Sequence, residues 1–280
     1  MEIQHSTMEL SITITGADGQ VKAQASGRDR VTLVYAAPYV EGDVIRMSGS
    51  APGYVVALLE DSMAETFGYL SGEFCLAVPF GEKRVSYSPK SFTGDVHLLW
   101  ARQASLREAG AYRNLALNPL DSHDNTGFFP HASANVETRG ESVFAARNAI
   151  DGCYANSSHG AWPYQSWGIN RDPEAELLLE FGREVRVDRL VFTLRADFPH
   201  DNWWKQCSVQ FSDGSQLRAE FVKTGEPQQI DLAPRVVRWL KLERLIKDED
   251  DPSPFPALTQ IEVWGADAGP LEDCHTGSAS

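Results

Sequence analysis

The stretch from Arg195 to Gly214 reads RADFPHDNWWKQCSVQFSDG and indicates how this part of the chain folds. Apolar and polar residues alternate from Cys207 to Ser212, as in a strand with one buried face. The Asp213-Gly214 pair that follows is typical of a hairpin, because a primed two-residue turn needs positive φ angles. The stretch therefore predicts a strand that turns back into an antiparallel partner.

Similar short strands recur along most of the chain. Residues 8–104 and 175–265 contain runs rich in β-branched and aromatic residues, separated by glycine-containing and proline-containing turns. Regular short strands with turn signals predict antiparallel sandwiches, and 280 residues suit one large or two ordinary domains. We predict an all-β protein with two antiparallel β-sandwich domains, residues 1–111 and 112–267, followed by a disordered tail at 268–280.

The overall charge argues against two classes of partner. The formal net charge is −14 and the isoelectric point is about 4.9, whereas nucleic acids and anionic membranes attract clustered lysine and arginine. We therefore expect neither a nucleic acid nor a membrane partner. Residues 1–13 lack the basic and apolar regions of a secretory signal, so the chain as written is expected in the cytoplasm, or outside the cell if a leader preceded it.

Two adjacent tryptophans in a polar loop indicate a ligand. Side chains next to each other in a strand point to opposite faces, so Trp203 and Trp204 cannot both enter one core if the segment is extended. The C–H face of a sugar ring packs on indole while its hydroxyls take polar partners, which makes a carbohydrate the expected partner. The predicted carbohydrate-binding residues are His159, Trp162, Arg195, Asp197, His200, Asn202, Trp203 and Trp204.

Each of these residues also has an ordinary structural interpretation. A tryptophan in a sandwich usually fills the core, and one of Trp162 and Trp167 is expected to do so. The histidines could be loop residues without a role, and Arg195 could simply pair with Asp197. The acidic run after Lys247 is interpreted as a solvated loop, because charge runs usually are.

Five short motifs in the second half carry a family resemblance. They are NLALN (114–118), NAIDG (148–152), LLEFG (178–182), SDG (212–214) and QIEVWG (260–265). In this order they resemble the discoidin or coagulation-factor type C domain, a galactose-binding-like jelly roll that includes family 32 carbohydrate-binding modules. The segments FPHASAN (129–135), HGAWP (159–163) and 195–204 resemble a bacterial subgroup of discoidin-domain proteins.

The resemblance implies a jelly roll whose loops bind a glycan, and a structural calcium ion. Carried over by position, the implied calcium ligands are the carbonyl groups of Asn148, Cys153 and Thr259 and the side chains of Asp151, Asn156 and Gln260. Asn156 stands where relatives usually have Thr or Ser, and Gln260 where they usually have Glu. Because calcium affinity follows ligand charge, the loss of that carboxylate predicts a weaker site or an empty one.

An enzyme and an assembly module remain as alternative functions. The sequence contains no HExxH, P-loop, GxSxG, GxGxxG or EF-hand motif, and no catalytic residue is assigned. An enzyme acting on a sugar or sugar acid could still place its acid and base in a groove between the domains. The residues available for such a site are Asp121, His123, His131, His159, Asp197, His200 and Asp201. A structural module for protein assembly is the third possibility.

Overall fold

A computed structural model describes residues 7–155, 162–196 and 202–269. All strand pairs within these residues are antiparallel, and helices are confined to single turns. The prediction of an all-β protein is confirmed. No helix within the described ranges has the length and apolar character needed to cross a membrane. Of the predicted tail, only residues 268–269 fall inside the described part.

Two sheets form the N-terminal half. Their strands are β1 (Glu9–Thr15), β2 (Val21–Arg28), β3 (Arg30–Tyr35), β4 (Val44–Gly49), β5 (Gly53–Leu58), β6 (Thr66–Leu70), β7 (Phe74–Ala77) and β8 (His97–Gln103). The first sheet has the order β2-β1-β4-β7, and β3, β5, β6 and β8 belong to the second. In β1, Leu10, Ile12 and Ile14 are buried at alternate positions, as the period-two pattern predicts.

Helical structure in the described residues is limited to short connecting turns. The α-helix α1 (Leu106–Ala109) begins after Ser105, whose hydroxyl accepts from the Glu108 N–H while Glu108 reaches back to the Ser105 N–H. The described 3-10 helices span Gly81–Arg84, Thr138–Gly140, Ser142–Phe144 and Ala146–Ile150. The first lies in the polar, basic and aromatic segment 80–94.

One eight-stranded sheet forms most of the C-terminal half. The remaining strands are β9 (Arg113–Asn114), β10 (Phe128–Phe129), β11 (His131–Ala134), β12 (Trp167–Gly168), β13 (Leu177–Arg195), β14 (Trp204–Phe211), β15 (Gln216–Glu220), β16 (Gln228–Lys247) and β17 (Ala257–Asp267). The main path is β12-β17-β13-β16-β14-β15, with β11 on β13 and β9 on β17. The predicted hairpin is β14-β15, and Gly214 has a φ of 85° in its turn.

The apolar alternation at 175–181 and again at 187–194 predicts two separate strands, but the structure joins them in β13. Gly182 lies within β13 with a φ of 68°, and the ring of Phe129 packs against the space where a Cβ atom would stand. A glycine therefore bends the strand without ending it. The carboxyl end of β13 brings Arg195 to the end of the sheet where the loops carrying the predicted site begin.

The described residues form two core clusters, and residues from both halves contribute to one of them. Leu120 and Phe128 follow the predicted boundary at residue 112 but pack in the first core. β10 correspondingly pairs with β6 and completes the second sheet, β10-β6-β5-β8-β3. Asp267 at the end of β17 accepts from Tyr54 and pairs with Arg183 at 3.1 Å. These contacts tie the halves together, and the boundary at residue 112 stays a prediction.

Candidate functional site

The structure separates the predicted carbohydrate-binding residues by exposure. His159, Asp197 and His200 lie outside the described residues. Arg195, Asn202 and Trp204 are buried, Trp203 is half-buried, and Trp162 is 40% exposed. Of the five that are described, Trp162 is the most exposed.

Trp204 is part of the core and has to be removed from the candidate site. It opens β14 with 2% of its surface exposed, and its ring centre lies 6.0 Å from that of Trp167. Trp167 is itself fully buried, which confirms that one of Trp162 and Trp167 fills the core. The register of β14 against β16 shifts between Trp204 and Ser208, so Trp204 and Cys207 are both buried although they are three residues apart. The indole of Trp204 is therefore not available to a sugar.

Asn202 holds a loop instead of facing a ligand. Its side chain is buried, and its Nδ2 donates to the carbonyl groups of Asp248 at 3.1 Å, Asp251 at 3.4 Å and Ser253. These carbonyls belong to the acidic loop after β16. The indole of Trp203 donates to the Asp248 carboxylate at 3.3 Å, so the same loop partly covers that ring. A polar side chain beside two tryptophans therefore serves the fold.

Arg195 links the end of β13 to the segment that carries Trp162. Its guanidinium lies 5.3 Å from the centre of the Tyr164 ring, and Nη1 donates to the Tyr164 carbonyl. With 1% of its surface exposed, Arg195 does not reach solvent. Its contacts make it a positioning residue beneath the segment 162–164. Asp197, the predicted partner of Arg195, lies outside the described residues.

A groove between the two halves receives Trp162. The groove has a volume of about 540 Å³, and Trp162 and Tyr164 lie on its C-terminal side. The N-terminal side is formed by Gly81, Arg84, Val85, Tyr87 and Pro89. All five belong to the basic and aromatic segment 80–94, which no sequence signal had connected with the tryptophans. The structure thus brings together two loops far apart in sequence.

Contacts at its base hold the two sides of the groove in place. The Ser142 hydroxyl donates to the Glu82 carbonyl at 2.8 Å, and the Ser142 N–H donates to the Glu82 carboxylate at 2.8 Å. The buried guanidinium of Arg147 lies 4.5 Å from the centre of the Tyr87 ring. These contacts hold the segment 80–94 against the C-terminal half, which lowers the entropic cost of binding a ligand on that side of the groove.

The groove combines aromatic faces with hydrogen-bond donors. Burial raises the pKa of the Tyr164 phenol, so this hydroxyl stays protonated at neutral pH. Arg84 donates to the Pro89 carbonyl at 2.9 Å, and within the described part of the chain no carboxylate lies within ion-pair distance of it. An indole face, a phenol and a guanidinium are the groups that contact sugar rings and their hydroxyls.

The residues implied as calcium ligands meet around one side chain. Asn148, Asp151, Thr259 and Gln260 are brought together, with the Gln260 Nε2 atom 2.8 Å from Asp151 Oδ1. Cys153 joins them through its N–H, which donates to Asp151 Oδ1 at 2.8 Å. Asn156 lies outside the described residues. In the described ranges no group of three His, Cys, Asp or Glu side chains is placed to hold a metal ion.

Asp121 and His131, candidates for the enzymatic alternative, form a buried pair. The Asp121 carboxylate lies 2.8 Å from His131 Nδ1 and also accepts from Asn125 and the Ala132 N–H. Burial lowers the pKa of His131, but the hydrogen bond to Asp121 and its negative charge outweigh this and leave the pKa raised. The fully buried Asp121 carboxylate makes these contacts inside the protein and does not line the groove. His123 is described but does not line it either, whereas Asp201 lies outside the described residues.

A second cavity of about 280 Å³ lies beside the start of β17. Its apolar wall includes Phe144, Ile169 and Phe255, and Arg139 and Arg171 also line it. Arg139 is paired with Glu141 at 2.6 Å, and the guanidinium of Arg171 lies 5.2 Å from the Phe255 ring centre. None of the five described carbohydrate-binding candidates lines this cavity, and it is smaller than the groove.

Comparisons with known proteins assign no family. No family model and no curated protein matches this chain. Among solved structures, chitosan-binding module 1 of a chitosanase/glucanase from Paenibacillus sp. is similar with a TM-score of 0.36 and 19% identity, over 55% of this chain and 99% of the module. The family 32 module of Clostridium perfringens NanJ, in complex with galactose, gives 0.37 and 16%, over 48% and 91%.

A mutant lectin-binding domain of lectinolysin, complexed with Lewis b, gives a TM-score of 0.40 and 16% identity. The similarity covers 56% of this chain and 99% of that domain. With TM-scores below 0.5 and identities below 20%, these similarities assign neither a ligand nor an activity to this chain. The function has to be argued from the groove itself.

Proposed function

We propose that this protein binds a carbohydrate in the groove between its two halves. The observation that carries the proposal is the 40% exposed indole of Trp162 at a groove of about 540 Å³. The groove is large enough for a small saccharide, since ligand sites typically span roughly 300–1,000 Å³. Of the three tryptophans predicted to contact a sugar, the proposal gives the stacking role to Trp162.

The other groove residues suit the polar part of a sugar. The face of Trp162 packs on the C–H side of a ring, while Tyr164, Tyr87 and Arg84 supply hydrogen bonds to hydroxyl groups. Because the groove is open, we expect weak binding, with dissociation constants of roughly millimolar to micromolar. For the alternative of an enzyme acting on a sugar or sugar acid, the described residues that line the groove include no acid–base pair.

Replacing Trp162 tests the proposal. The wild type is first screened against a panel of oligosaccharides, and the affinity for the sugars that bind is then measured by calorimetry. Trp162→Ala is expected to bind roughly tenfold to a hundredfold more weakly, because the stacking area is worth about 1.5–3 kcal/mol. Mass spectrometry of the same mixtures should show the sugars unchanged, whereas a product would favour the enzymatic alternative.

A matched control is available in the N-terminal half. Trp100 lies on β8 outside the groove, partly exposed beneath the guanidinium of Arg30. Trp100→Ala makes the same chemical change and should bind sugar as the wild type does. Equal affinities for the wild type and Trp162→Ala, or equal losses in both variants, would contradict the assignment. Absence of binding to every sugar would favour the assembly module.

A further inference from the structure

The carboxamide of Gln260 occupies the point on which the implied calcium ligands converge. Its Nε2 atom lies 2.6 Å from the Asn148 carbonyl oxygen, 2.8 Å from Asp151 Oδ1 and 2.6 Å from the Thr259 carbonyl oxygen. Gln260 is 2% exposed and Asn148 is fully buried. A hydrogen-bond donor therefore stands among three oxygen acceptors, inside the protein.

The orientation of this carboxamide follows from its other contact. The Gly152 N–H donates to Gln260 Oε1 at 3.0 Å. In the reversed orientation the amide NH₂ would face the Gly152 N–H, and Oε1 would face three oxygens. Both of these contacts would be repulsive, so the hydrogen-bond network places the amide nitrogen of Gln260 among the three oxygens.

The Asp151 carboxylate has hydrogen-bond donors from the protein without an ion. Asp151 supplies the one formal negative charge among these acceptors, and the nearby guanidinium of Arg147 is electrostatically attracted to it. Its two oxygens accept from Gln165 at 3.0 Å, from the Cys153 N–H at 2.8 Å and from Gln260. Calcium binds through oxygen ligands, and a carboxylate-poor site with a nitrogen donor at its centre does not fit it.

We propose that the Gln260 side chain takes the place of the implied calcium ion. Its amide group crosslinks the 148–152 loop to β17, as an ion held by both would do. The loop that precedes the Trp162 segment is thereby fixed without a metal, and the fold is independent of calcium. A single substitution, Gln260→Glu, converts the position into a cation site, because it sets a carboxylate oxygen against three other oxygens and adds one negative charge.

Thermal unfolding of the full chain in calcium and in a chelator tests this proposal. The wild-type melting temperature is expected to be the same in both solutions, and calorimetric titration with calcium should show no binding. Gln260→Glu should melt lower in the chelator and rise by roughly 5–10 °C at a calcium concentration about 100 times its dissociation constant. Magnesium, which prefers a smaller octahedral site, should restore less.

A neutral variant separates the loss of the crosslink from the gain of charge. Gln260→Leu lacks both the donor and the carboxylate, so it should be destabilised equally in calcium and in the chelator. A wild type that binds calcium or melts lower in the chelator would overturn the proposal. So would a Gln260→Glu variant that calcium does not stabilise, including one that fails to fold in its presence.

Discussion

Trp162 and Trp204 were both predicted to contact a sugar, and they have opposite environments. Trp162 is 40% exposed at the groove, whereas Trp204 is 2% exposed and packs on Trp167. The polar residues near Trp204 do not indicate that it is exposed. Asn202, for example, donates the hydrogen bonds of its amide to backbone carbonyls and not to a ligand. The comparison teaches that a polar residue beside a tryptophan can cover the ring as readily as it can complete a binding site.

The largest expected effect in this comparison is on stability, at Trp204. Trp204→Ala should lower the free energy of unfolding by about 3–5 kcal/mol, because it empties a large volume in a closed core. Urea denaturation measures the change, and Trp204→Phe should lose less because it keeps part of the packing. A loss below about 0.5 kcal/mol for the alanine variant would show that the ring lies outside the core.

A smaller loss is expected at Asn202. Asn202→Ala should cost about 1–3 kcal/mol of unfolding free energy, because it leaves partly buried carbonyls of the loop 248–253 without their donor. Limited proteolysis should then cut this loop faster than in the wild type. Glu249→Ala, an exposed change in the same loop, is the control and should stay within about 0.5 kcal/mol of the wild type. Equal behaviour of the two variants would contradict the supporting role of Asn202.

Trp162→Ala should have the smallest effect on stability. The Trp162 indole belongs to neither core cluster. The unfolding free energy of the variant should therefore stay within about 0.5–1 kcal/mol of the wild type, even though sugar binding is lost. Urea denaturation beside the binding measurement checks this. A loss comparable to that of Trp204→Ala would mean that the two tryptophans do not differ in role.

Much of the fold could be predicted because its signals are local. The alternation from Cys207 to Phe211 and the turn at Asp213-Gly214 specify the β14-β15 hairpin within one short stretch. The capped turn at Ser105 is equally local. The union of two predicted strands in β13 was missed, because glycine at 182 usually marks a break. Only the packing of the Phe129 ring on Gly182 shows that it bends a continuous strand.

The candidate site was harder to predict because it depends on contacts between distant residues. Tyr87 and Arg84 are more than 70 positions before Trp162, and nothing in either segment indicates that the other lies beside it. The basic and aromatic composition of residues 80–94 was the available signal. By contrast, the sequence alone shows that Gln260 stands where relatives usually have Glu. The structure was needed to show that the Gln260 side-chain nitrogen lies among the oxygens of the implied calcium ligands.

The tryptophan indole signals of the folded protein offer the most direct test of the groove. The chain has seven tryptophans, so ¹⁵N labelling gives an indole N–H resonance for each, assigned with the Trp162→Ala and Trp204→Phe variants. On titration with a sugar from the panel, the Trp162 resonance should shift progressively while that of Trp204 stays in place. A titration in which the Trp162 resonance stays fixed while sugar binds elsewhere would contradict the proposed site.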